Sequence, residues 1–345
     1  MTDIESADNN PRISVVIPVH NGGPDLEKCL AAVGASSYPV FECIVVDDAS
    51  TDDMTLPAAK KHGARIIRLD EQCGPAIARN HGAAQARGEI LFFTDADVLL
   101  HPDTLATAVT ALQSDPGVSA VFGSYDDQPG HTSFISQYRN LLHHWVHQTS
   151  SEEASTFWTG CGAIYRDIFN KMGGFNQNYK QPSIEDIELG LRLRNSGHRV
   201  CLKKTMLAKH MKHWKLWGMI RTDIFQRGVP WMLLILRKHQ LPSDLNLNYK
   251  SRLATLLAGL LGLSIVALLI AVACSTLPPG PLALIPLALI LAIASTHLAF
   301  YRYVADKRNL AFALAVVPLH IIFFLCCAVS IPIAMVKHYF AHDAQ

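Results

Sequence analysis

The chain has 345 residues, 50% of them hydrophobic and only 17% charged, with a net charge of +1. That balance gives no electrostatic footprint for a nucleic-acid partner, and its charge content is below the roughly 25% typical of a soluble protein. The deficit is local: residues 253–336 are almost pure hydrocarbon, while 1–252 hold nearly all the acids and bases, so one or two domains are expected, in different solvents.

The polar, acidic start MTDIESADNNPR has neither a signal-peptide nor a transit-peptide pattern, so a flexible tail over 1–11 and a first domain beginning in the cytosol are expected. The eight cysteines form no CxxC pair and are read as buried thiols in a reducing compartment. ISVVIPV (13–19) is a short β-branched run, the pattern of a buried parallel strand. A helix over 24–36, a second strand over 41–50 ending in Asp47 and Asp48, a helix over 55–63 and a third strand over 64–70 follow. The run 74–88 reads as a helix opened by Pro75. EILFFTDADV (89–98) is predicted as a fourth strand, 101–117 as a helix and 118–124 as a fifth strand. This alternation predicts an α/β fold: a mostly parallel, Rossmann-like sheet flanked by helices, with its ligand outside the carboxyl ends of the strands. Asp47, Asp48, Asp95 and Asp97 all fall at that edge. Beyond it, 134–149 looks helical, 155–167 reads as two short strands about a Gly-Cys-Gly turn, and 183–200 is a helix followed by a strand.

In 213–238, Trp217, Ile220, Ile224 and Trp231 recur at helical spacing among Lys215, Arg221, Arg227, Arg237 and Lys238, which predicts an amphipathic interfacial region over 213–252. Three stretches, 253–274, 282–301 and 311–336, are long enough to cross a bilayer, leaving a short tail over 337–345. Basic residues before the first span and in the 302–309 loop put the N-terminal domain on the cytosolic side and the C-terminus on the opposite side of a plasma or inner membrane.

Two aspartates flanking one residue at a strand end make a hard oxygen site suited to Mg²⁺ or Mn²⁺ with phosphate oxygens. IEDIE adds Glu185, Asp186 and Glu188 at a helix start. His143 and His147 lie four apart but lack further ligands for a zinc site.

In order, VVIPVHNGG, IVVDDASTD, GPAIARNHG, FFTDADV, TGCGAIYRD and IEDIELGLRLRNSGHRV resemble a membrane-bound inverting family 2 glycosyltransferase of the GT-A fold, over roughly 12–210. The resemblance implies a cytosolic catalytic domain over 12–212, with the helices of 253–336 like those of membrane-bound members. It implies that Pro18, Val19 and Asn21 line a nucleotide pocket, that the base is held by Asp47 or Asp48, and that Gly74 and Arg79 touch the nucleotide. Asp95 would face the ribose or the metal, Asp97 would bind the Mg²⁺ or Mn²⁺, and His210 would complete the metal shell. Asp186 would be the general base, with Glu185 beside it, and Trp158, Gly160, Cys161 and Gly162 would form the acceptor region. The implied partners are a nucleotide-sugar donor, a lipid or lipid-linked acceptor, and membrane lipids. Polymerising members carry Gln-x-x-Arg-Trp; here Gln226 is followed by Val229 and Pro230 before Trp231, which favours single-sugar transfer over a processive polysaccharide synthase. A non-catalytic membrane scaffold of the same fold would be expected to have lost the aspartates, and Asp95, Asp97 and Asp186 are all present.

Overall fold

The computed structural model describes residues 12–39, 41–240, 245–274 and 279–342; the expected 1–11 tail and most of the 275–281 connection lie outside the described residues. In chain order the first elements are β1 (Ile13–Val19), α1 (Gly23–Gly34), β2 (Phe41–Asp47), α2 (Thr55–Lys61), β3 (Arg65–Arg68), α3 (Pro75–Gln85), β4 (Ile90–Thr94), β5 (Val98–Leu100), α4 (Thr104–Ser114) and β6 (Val118–Tyr125). Then come α5 (Phe134–Thr149), β7 (Glu153–Ala154), β8 (Cys161–Tyr165), α6 (Arg166–Lys171), α7 (Glu185–Asn195) and β9 (Arg199–His210). The rest is helical: α8 (Leu216–Arg221), a π-helical stretch Thr222–Gly228, α9 (Val229–Lys238), a 3₁₀ turn Leu245–Leu247, α10 (Tyr249–Ala273), α11 (Pro279–Thr296), α12 (Leu298–Lys307) and α13 (Leu310–His342). Two units form. One comprises the described residues up to Gly130 with Glu152–Lys212; the other comprises His131–Ser151 with the described residues from His213 onward.

The first unit is built on a sheet ordered β3-β2-β1-β4-β8-β6-β9-β5, with β7 paired to β9. The sequence predicts a mostly parallel sheet. Six strands do run one way, but β8 enters antiparallel between β4 and β6, and β5 and β7 run antiparallel to β9, so the sheet is mixed. All seven residues of β1 are buried, as expected of a central strand covered on both faces. Pro18 is tolerated there because β4 pairs only with Ile13–Val16, so the missing N–H falls beyond that ladder.

Two strand predictions are corrected. The predicted fourth strand divides: β4 stops at Thr94, the Val98 amide donates to the Asp95 carbonyl (3.0 Å), and β5 forms at the far edge of the sheet against β9. Carboxylates cannot continue a fully buried strand without partners, so the chain turns where they begin. Likewise Cys161 and Gly162 are not a turn but lie inside β8, paired with Thr94 and Phe93.

In the second unit, α10 and α13 are each long and apolar enough to cross a membrane, with mean hydropathies of 2.8 and 2.6. The expected span 282–301 is not one straight helix: Leu282–Thr296 and Leu298–Lys307 meet at a 67° bend, so a third crossing exists only if the bent pair is a single span. The 302–309 stretch, expected as a loop, is helical as far as Lys307, and α13 runs on to His342 through the expected tail. Tyr138, Leu141 and Leu142 of α5 pack with Trp214, Met219, Phe300 and Val304 in the core of this unit. Leu256, Leu263 and Leu269 of α10 point outward, each more than 60% exposed.

Candidate active site

The site is assembled where β1, β2 and β4 end. At the end of β2, Asp47 is fully buried and its Oδ1 accepts from the Ser50 amide at 2.9 Å, while Oδ2 lies 3.5 Å from Arg68 Nη1. Asp48 accepts from two successive amides, Cys73 N on Oδ1 (2.7 Å) and Gly74 N on Oδ2 (2.9 Å). The pair therefore has divided roles: Asp47 holds the turn that follows it, and Asp48 ties the end of β2 to the start of α3. Gly74 has φ +91°, and a Cβ there would lie 2.2 Å from the Lys180 carbonyl oxygen, so only glycine fits. Asn21, at φ 53°, donates its amide to Ser50 Oγ (2.8 Å), and its Oδ1 accepts from the amides of Thr51 (2.8 Å) and Asp52 (3.1 Å). The expected nucleotide-lining residues Pro18, Val19, Asn21, Asp47, Asp48 and Gly74 thus form one hydrogen-bonded rim; Pro18 and Val19 contribute to it as buried strand.

Arg79 is the hub of the acidic cluster. Only 4% exposed, it donates from Nη2 to Asp95 Oδ1 (2.6 Å) and from Nη1 to Glu185 Oε1 (2.8 Å), with its guanidinium 5.7 Å above the Phe175 ring. Burial pulls its pKa down, but Asp95 and Glu185 outweigh this and hold it above the usual arginine value. Both terminal nitrogens are thus engaged by carboxylates, which gives Arg79 a bridging place rather than an open face toward a nucleotide. Glu185 is buried too, and its Oε2 accepts from the Ser183 amide at 3.0 Å. Glu188 is drawn away to Arg192 at 2.8 Å.

Asp186, at the first turn of α7, is only half-buried. Its Oδ2 accepts from the amide (3.2 Å) and hydroxyl (3.3 Å) of Thr159, and its Oδ1 from the Ile187 amide (2.8 Å). Burial and the neighbouring Glu185 nevertheless push its carboxyl up to about 6, against the opposing charge of Arg79. A carboxylate poised near neutral pH is suited to general-base work.

Asp97 and His210 meet across the β5–β9 ladder, Oδ2 to Nε2 3.5 Å. Burial raises the Asp97 carboxyl, but the hydrogen bond and charge of His210 and the charge of Lys212 prevail and hold it below the usual range. The His210 ring stacks on Tyr125 (4.4 Å, 5°), which meets Trp158 edge-on at 4.7 Å. Asp95 is expected to share the metal, yet its Oδ1 is turned to Arg79, and no group of three His, Cys, Asp or Glu poised for a metal occurs among the described residues. What the structure brings together is one carboxylate and one imidazole. That set fits a hard divalent ion that takes the rest of its shell from water and phosphate oxygens.

The expected acceptor region is only partly available. Trp158 is half-buried, whereas Cys161 and Gly162 are enclosed. A Cβ on Gly162 would come within 2.3 Å of the Trp158 carbonyl oxygen, and burial pushes the Cys161 thiol far up, leaving it neutral. Gly160 contributes its carbonyl to the Thr94 hydroxyl at 3.0 Å. These three are framework, and Trp158 alone of the four presents a side chain with some exposure. Sequence reasoning missed Tyr125, Thr159 and Phe175. Thr159 stands within the TGCG motif and Tyr125 one residue past the predicted fifth strand; no pattern singles out Phe175.

Comparison with known proteins accords with this geometry. Residues 14–173 match the family described as Glycosyl transferase family 2, and residues 142–215 match the N-terminal domain of galactosyltransferase. Glycosyltransferase AglE of Haloferax volcanii is 38% identical over 122 residues, 34% of this chain and 40% of that protein. The probable glycosyltransferase YdaM of Bacillus subtilis is 26% identical over 241 residues, 65% of this chain and 56% of that protein. The chain thus spans less than two thirds of either relative. Among solved structures, the mannosyltransferase PcManGT from Pyrobaculum calidifontis, in complex with GDP-Man and Mn²⁺, superposes with a TM-score of 0.63 at 25% identity, covering 89% of this chain and 86% of that one. Sheet topology and these likenesses agree on a GT-A fold, with residues 14–173 similar to glycosyl transferase family 2.

Proposed function

We propose that this protein is a membrane-bound inverting glycosyltransferase that moves one sugar from a nucleotide sugar to a lipid or lipid-linked acceptor at the cytosolic face of a membrane. The observation that carries the reading is Asp186: a half-exposed carboxyl raised to about 6, beside a second acid and a buried arginine, at the carboxyl edge of the sheet. The acceptor hydroxyl attacks the anomeric carbon from the face opposite the leaving group. The new O–C1 bond forms as the C1–O bond to the diphosphate breaks, the hydroxyl proton passes to Asp186, and the configuration inverts. Thr159 keeps Asp186 in place, and Glu185 and Arg79 set its charge. Asp97 and His210 would hold a Mg²⁺ or Mn²⁺ ion, whose chemistry when bound is to neutralise the charge that develops on the departing diphosphate. The rim from Asn21 to Gly74 would receive the base and ribose, and Trp158 the acceptor.

The membrane part of the reading rests on α10 and α13, with the outward leucines of α10 facing acyl chains. With the bent pair α11–α12 as a third crossing, the sheet unit lies on the cytosolic side and the C-terminus opposite, following the basic residues before α10 and between Arg302 and Arg308. Incubation of the full-length protein with a panel of nucleotide sugars and membrane lipid extract, read by mass spectrometry, tests it. A product heavier by one sugar is expected; a polymer, or no product with any donor, refutes it.

A further inference from the structure

The backbones of Asp97 and His210 are fixed by the β5–β9 ladder and its extensions. Val98 pairs with His210, the Met211 amide donates to the Asp97 carbonyl at 2.8 Å, and the Gly130 amide donates to the His210 carbonyl at 2.9 Å. These bonds set where the two side chains start but leave the imidazole free to turn about its own bonds. A histidine that ligates a metal is ordinarily oriented through its other ring nitrogen, by a carboxylate, a carbonyl or water. Here Nε2 faces Asp97, and among the described residues no protein group hydrogen-bonds to Nδ1.

Tyr125, the last residue of β6, meets the imidazole instead. It is 7% exposed, its ring lies parallel to that of His210 at 4.4 Å, and Trp158 closes on it edge-on at 4.7 Å. The strand end that carries it is tied to β9. Tyr125 pairs with Ala208, the Asp126 amide donates to the Ala208 carbonyl at 2.8 Å, and Asp126 Oδ2 is shared by Lys209 Nζ (3.0 Å) and His101 Nε2 (3.1 Å). A flat stack lets the imidazole slide in its own plane but resists turning out of it, because turning drives its edge into the Tyr125 face.

We propose that Tyr125 is a positioning residue for the metal: its ring holds His210 flat, with Nε2 turned to the point that Asp97 Oδ2 also faces. The stack takes the place of a hydrogen bond to Nδ1. The proposal rests on the reading of Asp97 and His210 as metal ligands, and names what keeps one of them in line.

Mn²⁺ is titrated into the detergent-solubilised full-length protein, alone and with GDP or UDP. Electron paramagnetic resonance follows binding, and nitrogen spin-echo modulation reports imidazole coordination. The wild type should show nitrogen coupling that His210→Ala removes. Tyr125→Phe keeps the ring face and should bind within about twofold of wild type. Tyr125→Leu should weaken binding roughly tenfold and diminish the coupling, the lower end for losing a group that orients a ligand. In the His210→Ala background it should change affinity no further, since Tyr125 acts through the imidazole. Trp158→Leu, which removes the edge-on support of Tyr125, serves as the second variant should Tyr125→Leu not fold; it should weaken binding in the same His210-dependent way. Variants that bind as wild type with the coupling intact, or that weaken binding equally with and without His210, overturn the proposal and leave the ligand assignment standing. Coupling absent from the wild type, or unchanged in His210→Ala, removes the ligand assignment and the proposal with it.

Discussion

Replacing Arg79 by methionine isolates what the buried arginine does. Arg79 and its two partners differ in exposure: the side chains of Arg79 and Glu185 are 4% and 6% exposed, that of Asp95 36%. Without the guanidinium, Asp95 can rehydrate, but Glu185 is left as a buried charge held by one amide. Removing one partner of a buried pair costs about 3–5 kcal/mol; with one carboxylate able to reach water, the lower end is expected, about 3 kcal/mol. For a unit of this size that lowers Tm by roughly 6–12 °C. Glu185→Gln alone should cost less, since Arg79 keeps Asp95. In the double variant Arg79→Met/Glu185→Gln the stranded charge is gone, so more than about 1 kcal/mol should return relative to Arg79→Met, a coupling well above additivity error. Thermal melts of the detergent-solubilised full-length protein measure all three. Additive costs, or an Arg79→Met melt within the error of wild type, would refute the bridge and return Arg79 to direct substrate contact.

Other outcomes follow from the same geometry. Because Asp186 must be ionised to accept a proton and its carboxyl lies at about 6, kcat/KM for a hydroxyl acceptor should be level above that pH and fall about tenfold per unit below it; a profile flat to pH 5 would remove it as the base. Asp186→Asn should lower kcat by roughly 10²–10⁴ with an unchanged melt, and an unaltered rate in a steady-state assay would contradict the assignment. Since Arg79 opposes the rise in the Asp186 carboxyl, the acid limb of Arg79→Met should move to higher pH. Chelation of divalent ions should stop turnover, and His210→Ala should raise the Mn²⁺ concentration needed to restore it; a titration identical to wild type would displace His210 from the metal. Gly74→Ala meets both a left-handed φ and a carbonyl at 2.2 Å, so a cost on the order of 1–3 kcal/mol in the melt is expected, and a neutral substitution would show that the loop at Lys180 yields freely.

The β-branched run of β1, the periodic pattern of α5 and the acids opening α7 are all local signals, and they were legible because burial and helical spacing are written residue by residue. The carboxyl edge, and with it Asp47, Asp48, Asp95 and Asp97, follows from strand order; Arg79, Asp186 and His210 are singled out only by the family resemblance. What could not be seen in the sequence depends on partners far along the chain. That Asp95 faces Arg79 and Asp97 faces His210 is decided by β5 leaving the sheet centre for β9, more than a hundred residues away. The antiparallel entry of β8 is hidden for the same reason: a strand's direction leaves no periodicity of its own.

The membership of α5 bears on how the protein can be cut. This helix stands between β6 and β7 in sequence yet shares its core with Trp214, Met219 and Phe300. A fragment ending at residue 212 would keep α5 and delete those partners, stranding Tyr138, Leu141 and Leu142 in water as an aggregation-prone patch. A soluble version of the sheet unit therefore calls for excising 131–151 and bridging Gly130 to Glu152 as well as stopping at Lys212. The chain is a mosaic in which a catalytic fragment is defined by two excisions, not by one stop codon.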